Sequence, residues 1–309
     1  LFRPFQMQQP GMLYPGDDFS YFAYATSFAF GDFPSTKKEY VEEASVPPLS
    51  RVGIGLISAP LTFAFSLIDR AQGSDIVQQR TKENITKSWA VFGAILTAVI
   101  ALWFTCVLLY KTLLPDFGDK ISSYSVILMT LCQGAGLYAF RRPVFSHVYE
   151  LLIHSTFLYL FVSRQRNVLR YKKGTTLLFI GVLSAMLTLV RQNGVIYSII
   201  WPISFFCFSG WKWNLNRNAI LNLTKCFAIA AIVYYPIKYI PYILNKDAFT
   251  EINKTFETSA FMFNFESPWF YLKRIYLVIF GIDWGLLFTA PFLIIGVVAF
   301  FFKKLPHRL

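Results

Sequence analysis

Long uncharged runs alternate with short basic segments along this chain, and their lengths predict its elements. A helix crossing a bilayer needs about 20 apolar residues at 1.5 Å rise each. Trp89–Tyr110 has 22 residues without a charge and Ile121–Phe140 has 20, so both are predicted as spans. Val144–Val162 has a similar length but carries His147, Glu150 and His154. Thr175–Val190 and Gly194–Gly210 are shorter and flank Arg191-Gln192-Asn193, which predicts a tight helical hairpin. Leu223–Leu244 is a further span, interrupted by Pro236, Lys238 and Pro241. Gly285–Phe302 is the last, after a polar loop from about Asn245 to Pro268. Val52–Ile68, with 17 uncharged residues, fits two descriptions. Its length allows a span, while Gly53, Gly55, Pro60 and the flanking Arg51, Asp69 and Arg70 suit a helix lying in the membrane interface.

Composition agrees with the pattern. The chain is 55% hydrophobic and only 15% charged, against about 25% charged in a soluble protein. The fold class expected is all-α: a polytopic transmembrane helical bundle, integral to a membrane and crossing it several times. The net charge of +12 does not imply a nucleic-acid partner, because the cations cluster between apolar runs, where they orient helices and meet anionic lipid. The densest cluster is Arg164 to Lys173, and the Trp211–Lys225 connection and the Lys303–Arg308 tail are also basic. Placing all three in the cytoplasm is self-consistent. It leaves Ile76–Lys87, Arg141-Arg142-Pro143, Arg191 and the Asn245–Pro268 loop outside. If Val52–Ile68 lies in the interface, residues 1–88 form an external first loop; if it spans, Asp17 and Asp18 are cytoplasmic. Residues 89–309 form the bundle, with its own external loop at about 245–270. Cys106, Cys132, Cys207 and Cys226 form no CxxC pair and read as small apolar-face residues. Asn84, Asn222 and Asn253 head triplets that match the glycosylation sequon, a common pattern. The chain opens at Leu1 in a Pro/Gly-rich polar stretch with no visible signal peptide. It is expected to be a piece of a longer protein, with a membrane helix before it and further sequence after it.

Against this background one motif stands out. Carboxylates are scarce, 17 Asp and Glu against 29 Lys and Arg, yet two sit together in Gly16-Asp17-Asp18-Phe19-Ser20-Tyr21-Phe22. Two readings fit the pair. Asp at the start of a helix caps exposed N–H groups and meets the positive end of the dipole. A positioned carboxylate can also take the proton from an acceptor hydroxyl as it attacks.

Four stretches resemble the polytopic glycosyltransferases of the GT-C class, in the branch of the protein O-mannosyltransferases and the lipid A aminoarabinose transferase (family 39-like). The first is Asp17-Asp18-Phe19-Ser20-Tyr21, with the small-residue helix that follows it and closes at Gly31. The second is Pro47-Pro48 with Gly55-Leu56-Ile57-Ser58-Ala59-Pro60, similar to that family's interfacial helix. The third is Leu189-Val190-Arg191-Gln192-Asn193-Gly194, similar to its Leu-Val-Arg-x-x-Gly, and the fourth is Gly285-Leu286-Leu287 through Pro291. In order they cover nearly all of the chain, although the second acid is Asp18 where relatives often have Glu.

The resemblance implies a bacterial inner-membrane or plasma-membrane enzyme of the cell envelope, mannosyltransferase-like. It would transfer a sugar, with inversion, from a polyprenyl-phosphate donor to a lipid, glycan or protein acceptor on the extracytoplasmic face. It also implies that Val52–Ile68 is interfacial, that Asp17 is the general base, and that Asp18 acts on its partner through like-charge proximity or orients the acceptor. A departing phosphate needs cations. Arg191, at an external helix end, is the first candidate, because its fork engages two oxygens; Arg141 and Arg142 come next. A snorkelling interfacial Arg is the other reading of all three. Tyr21 joins the substrate-binding candidates.

His147, Glu150 and His154 share one helical face. His147 and Glu150 are placed to bind sugar or acceptor, and a hydrogen-bonded structural trio is the alternative. The trio is also a metal-donor set, but His154 lies about a turn deeper than Glu150, and no metal or other cofactor is assigned. Glu266 and Asp283-Trp284 are further sugar-binding candidates, Trp because it packs on sugar rings. Two competing readings are a transporter or flippase for a lipid-linked saccharide, and a catalytically inactive membrane subunit. A transporter would need no acidic pair and often shows repeated halves, which this chain lacks.

Overall fold

The computed structural model describes residues 17–31, 52–74, 88–132, 136, 139–140, 146–166, 173–191, 194–209 and 211–244. Seven helices follow one another there: α1 Asp17–Phe30, α2 Val52–Ala71, α3 Trp89–Cys132, α4 Ser146–Gln165, α5 Lys173–Val190, α6 Gly194–Cys207 and α7 Arg217–Leu244. The strands β1 (Phe208–Ser209) and β2 (Lys212–Trp213) form a small antiparallel hairpin between α6 and α7. Three helical segments are long and apolar enough to cross a membrane: Val52–Ala71, Trp89–Leu131 and Arg217–Tyr239. The described part is therefore all-α apart from one hairpin, as its hydropathy predicts.

The boundaries differ from expectation at three places. Trp89–Tyr110 and Ile121–Phe140 were expected as separate spans, and α3 is two helical arms that cover the described part of each up to Cys132; the gap expected between them shrinks to a single break at Gly118. There the backbone has φ 72° and ψ 172°, a region open almost only to glycine. Cys106 Sγ lies 3.3 Å from Thr130 Oγ1, and these residues are equidistant from Gly118, so the two arms fold back antiparallel. The Tyr110 hydroxyl donates to Asp119 at 2.7 Å and pins the bend. Secondly, α6 stops at Cys207 because the hairpin takes over its end, with the Asn214 N–H donating to the Cys207 carbonyl at 2.6 Å. Thirdly, α7 begins at Arg217 and its backbone stays helical past Pro236 and Pro241, since an apolar helix tolerates proline where local adjustments satisfy the freed carbonyls.

Side-chain contacts fix the directions of the helices. Tyr24 meets α2 at Gly55, where an added Cβ would lie 2.4 Å from the Tyr24 Cβ. Farther along both helices, Phe30 meets Phe63 at 6.4 Å, so α1 and α2 run parallel. The Asp69 carboxylate, near the end of α2, accepts from the N–H groups of Trp89 (2.8 Å) and Ala90 (2.9 Å) and caps α3. Phe65 packs on Phe92 at 5.2 Å, so the last turns of α2 lie against the first turn of α3. The face of α2 that packs inward is small and polar, with Gly55, Ser58, Ala59, Thr62, Ser66 and Asp69, while Phe63, Leu67 and Ile68 face out. Small residues at contacts and large apolar ones outside are how helices pack when lipid replaces water. The core joins Tyr21 and Phe22 of α1 to Ile54, Ala94, Tyr149, Phe157, Leu187 and Val190.

Candidate functional site

α2, α4, α5 and α6 converge at one end of the bundle. α5 ends in a tight turn: the Arg191 N–H donates to Leu187 (3.2 Å) and the Gly194 N–H to Arg191 (2.9 Å), so α6 starts almost at once. Gly53 of α2 presses on this end; a Cβ there would lie 2.8 Å from Leu189. The hydroxyls of Ser58 and Tyr149 share a buried hydrogen bond of 3.1 Å that ties α2 to α4. Arg191 thus emerges beside the first two turns of α4.

Its guanidinium Nη1 donates to Glu150 Oε2 at 2.7 Å and lies 3.4 Å from His147 Nδ1. Glu150 Oε1 is 3.8 Å from His154 Nε2. The Trp201 indole N–H donates to His154 Nδ1 at 2.8 Å. An indole only donates, so Nδ1 must accept and the His154 proton sits on Nε2, the nitrogen nearest Glu150. Tyr197 packs against the His154 ring edge-on at 4.8 Å, and Trp201 stacks on Phe157 at 5.6 Å. The result is a continuous polar chain, Trp201–His154–Glu150–Arg191, with His147 beside its last link.

The charges in this chain are unevenly sheltered. The Glu150 side chain is 12% exposed and that of Arg191 35%. A carboxylate buried to this degree needs a cation and hydrogen bonds to remain charged; Arg191 supplies both at 2.7 Å, and the His154 Nε2–H faces the other oxygen at 3.8 Å. Among the described residues, every side-chain contact of Arg191 runs through Nη1. A guanidinium has five N–H donors, so its Nε–Nη2 edge remains available to a planar or tetrahedral anion.

The structure brings together Arg191, His147 and Glu150 of the expected substrate-binding set. His154, expected on the same face, contacts Glu150 and Trp201. Asp17 and Asp18 open α1, and their side chains lie outside the described residues. The α1 backbone places their turn on the Val52 side of the Tyr24–Gly55 crossing, the side on which Gly53 meets Leu189. Tyr21, one turn on, is fully buried in the core, where it packs. Arg141, Arg142, Glu266, Asp283 and Trp284 lie outside the described residues. Among the described residues, no group of three or more His, Cys, Asp or Glu is arranged to hold a metal ion. Trp201 and Tyr197 are partners that the apolar composition of their run concealed. Their i, i+4 spacing was the available signal, since it puts both on one face.

Comparison with family models, with curated proteins and with solved structures finds no match to this chain.

Proposed function

We propose that this chain is a multi-pass membrane glycosyltransferase that takes a sugar from a polyprenyl-phosphate donor and transfers it, with inversion, to an extracytoplasmic acceptor. The observation that carries the reading is the partly exposed Arg191, anchored through Nη1 by Glu150 with the rest of its fork available. In this role the fork engages the donor phosphate, and Glu150 and His147 fix its orientation. The acceptor hydroxyl oxygen bonds to the anomeric carbon as the bond from that carbon to the phosphate oxygen breaks. Asp17 takes the hydroxyl proton, and the polyprenyl phosphate leaves with the electron pair. Arg191 offsets the charge that develops on it, the kind of electrostatic help that removes several kcal/mol from a barrier. Asp18 orients the acceptor. The resemblance of the Asp17-Asp18 and Leu189–Gly194 segments to the GT-C class supports the assignment, as does the common end of α2 to which both map.

The test is a donor screen. Purified full-length protein in lipid is given polyprenyl phosphates carrying different sugars, and products are read by mass spectrometry. The reading requires transfer from at least one donor, with loss when Arg191→Gln is introduced. Movement of intact donor across the bilayer without transfer would replace it with the flippase reading.

A further inference from the structure

A second polar site lies at the other end of the bundle. The last turn of α4 there meets the β1–β2 hairpin and the start of α7. Arg164 donates to the Phe205 carbonyl and sits over the Phe205 ring, 4.6 Å from its centroid. Gln165 donates to the Phe208 carbonyl at 3.3 Å and accepts from the Trp211 N–H at 3.1 Å, which clamps the hairpin. Asn216 caps α7 by accepting from the Ala219 N–H at 2.8 Å. Between these elements lies an open-sided pocket of about 210 Å³ whose polar lining is Arg164, Ser209, Asn214, Asn216, Asn218 and Asn222. Asn222 heads one of the sequon triplets, and in the fold its side chain lines this pocket.

The lining fits one kind of ligand. A single guanidinium provides positive charge, no lining residue is acidic, and four carboxamides and a hydroxyl provide donors and acceptors on several sides. That combination suits an anion bearing hydroxyl groups. The volume falls below the roughly 300–1,000 Å³ of typical small-molecule sites, so a headgroup fits and a nucleotide sugar does not. The hairpin and the first residue of α7 carry exposed Trp211 and Trp213, a residue type that marks a membrane–water boundary, together with exposed Lys212 and Arg217. From the pocket, α7 runs on as an apolar helix that is largely unburied, with Ile220, Ile232 and Tyr235 exposed. A hydrocarbon chain has a surface to lie on there.

We propose that this pocket binds the phosphate of an anionic phospholipid. Arg164 takes the phosphate, the asparagines take a hydroxyl-bearing headgroup such as glycerol, and an acyl chain lies along α7. Basic residues beside a span are the expected contact for anionic headgroups. The pocket places that contact opposite the Arg191 end and makes it specific. The inference rests on α7 meeting lipid and is independent of sugar transfer.

The test uses full-length protein in nanodiscs of phosphatidylcholine with or without phosphatidylglycerol, read by native mass spectrometry. One phosphatidylglycerol is expected to stay bound in preference to phosphatidylcholine. Asn218→Asp/Asn222→Asp, which adds carboxylates to the pocket without disturbing the hold of Arg164 on Phe205, should weaken retention at least tenfold. Arg164→Gln should weaken it too. Millimolar inorganic phosphate should not displace the lipid; displacement with no lipid retained would overturn the lipid source in favour of free phosphate. Equal retention of both lipids, or retention unchanged by the carboxylates, overturns the proposal.

Discussion

The Arg191–Glu150 pair allows a quantitative test that needs no substrate. Glu150→Gln keeps the shape of the side chain and removes its charge. The wild-type carboxylate accepts from Arg191 Nη1 at 2.7 Å and faces His154 Nε2 at 3.8 Å. Glutamine has only one acceptor oxygen, so it can satisfy one of these donors and must turn its NH₂ toward the other. Removing one partner of a fully buried pair costs about 3–5 kcal/mol, and an exposed pair is worth about 0–1. Glu150 is sheltered and Arg191 about a third exposed, so the coupling between them should be about 1–2 kcal/mol. A double-mutant cycle of Glu150→Gln, Arg191→Gln and the combined variant isolates that term. The assay is reversible unfolding in mixed detergent micelles, followed by tryptophan fluorescence. A coupling below about 0.3 kcal/mol, the usual scatter between independent sites, would refute the view that Glu150 anchors Arg191.

Other consequences are as specific. Asp69→Ala strips the cap from the N–H groups of Trp89 and Ala90 and should lower stability by about 1–3 kcal/mol; Asp69→Asn, which keeps an acceptor, should lose about half as much in the same unfolding assay. Gly118→Ala forces a side chain into a backbone region reserved for glycine and should cost about 1–3 kcal/mol, with the Cys106–Thr130 approach widened as judged by crosslinking yield between introduced cysteines. Trp201→Phe keeps the stack on Phe157 and deletes the donor to His154. It should release the Nε2–H tautomer, visible in the ¹⁵N imidazole shifts, and an unchanged spectrum would contradict the polar chain. A reporter fused after Asp75 should read as extracytoplasmic, and a cytoplasmic signal would break the orientation on which the proposed enzyme depends.

Much of the fold was legible because lipid imposes a coarse rule that length and charge obey. The runs at Trp89–Tyr110, Thr175–Val190 and Gly194 onward map onto real helices, and the hydrogen bonds of the Arg191 and Gly194 N–H groups show the second and third of these following each other closely. Local chemistry decided what hydropathy could not. One glycine, Gly118, turns the first arm of α3 straight into the second, because its φ and ψ depend on the absence of a Cβ and leave no trace in hydropathy. The β1–β2 hairpin is too short to give a period. In the candidate site, the shared face of His147, Glu150 and His154 follows from helical spacing. The bond from Glu150 to Arg191 crosses 41 residues of chain, and nothing in either segment alone specifies it. Trp201 was hidden for a different reason. In an apolar run a tryptophan reads as a lipid-facing ring, and only the packing of α6 on α4 reveals its N–H as a donor.

The central claim is that Asp17 acts as the base in sugar transfer. The most direct measurement compares wild type and Asp17→Asn in the same lipid, with a donor that the wild type uses and with folding checked by unfolding midpoint. The account predicts a fall in transfer rate of about 10²–10⁴, the usual worth of a positioned general base, with donor binding retained. Transfer by Asp17→Asn at the wild-type rate would contradict it.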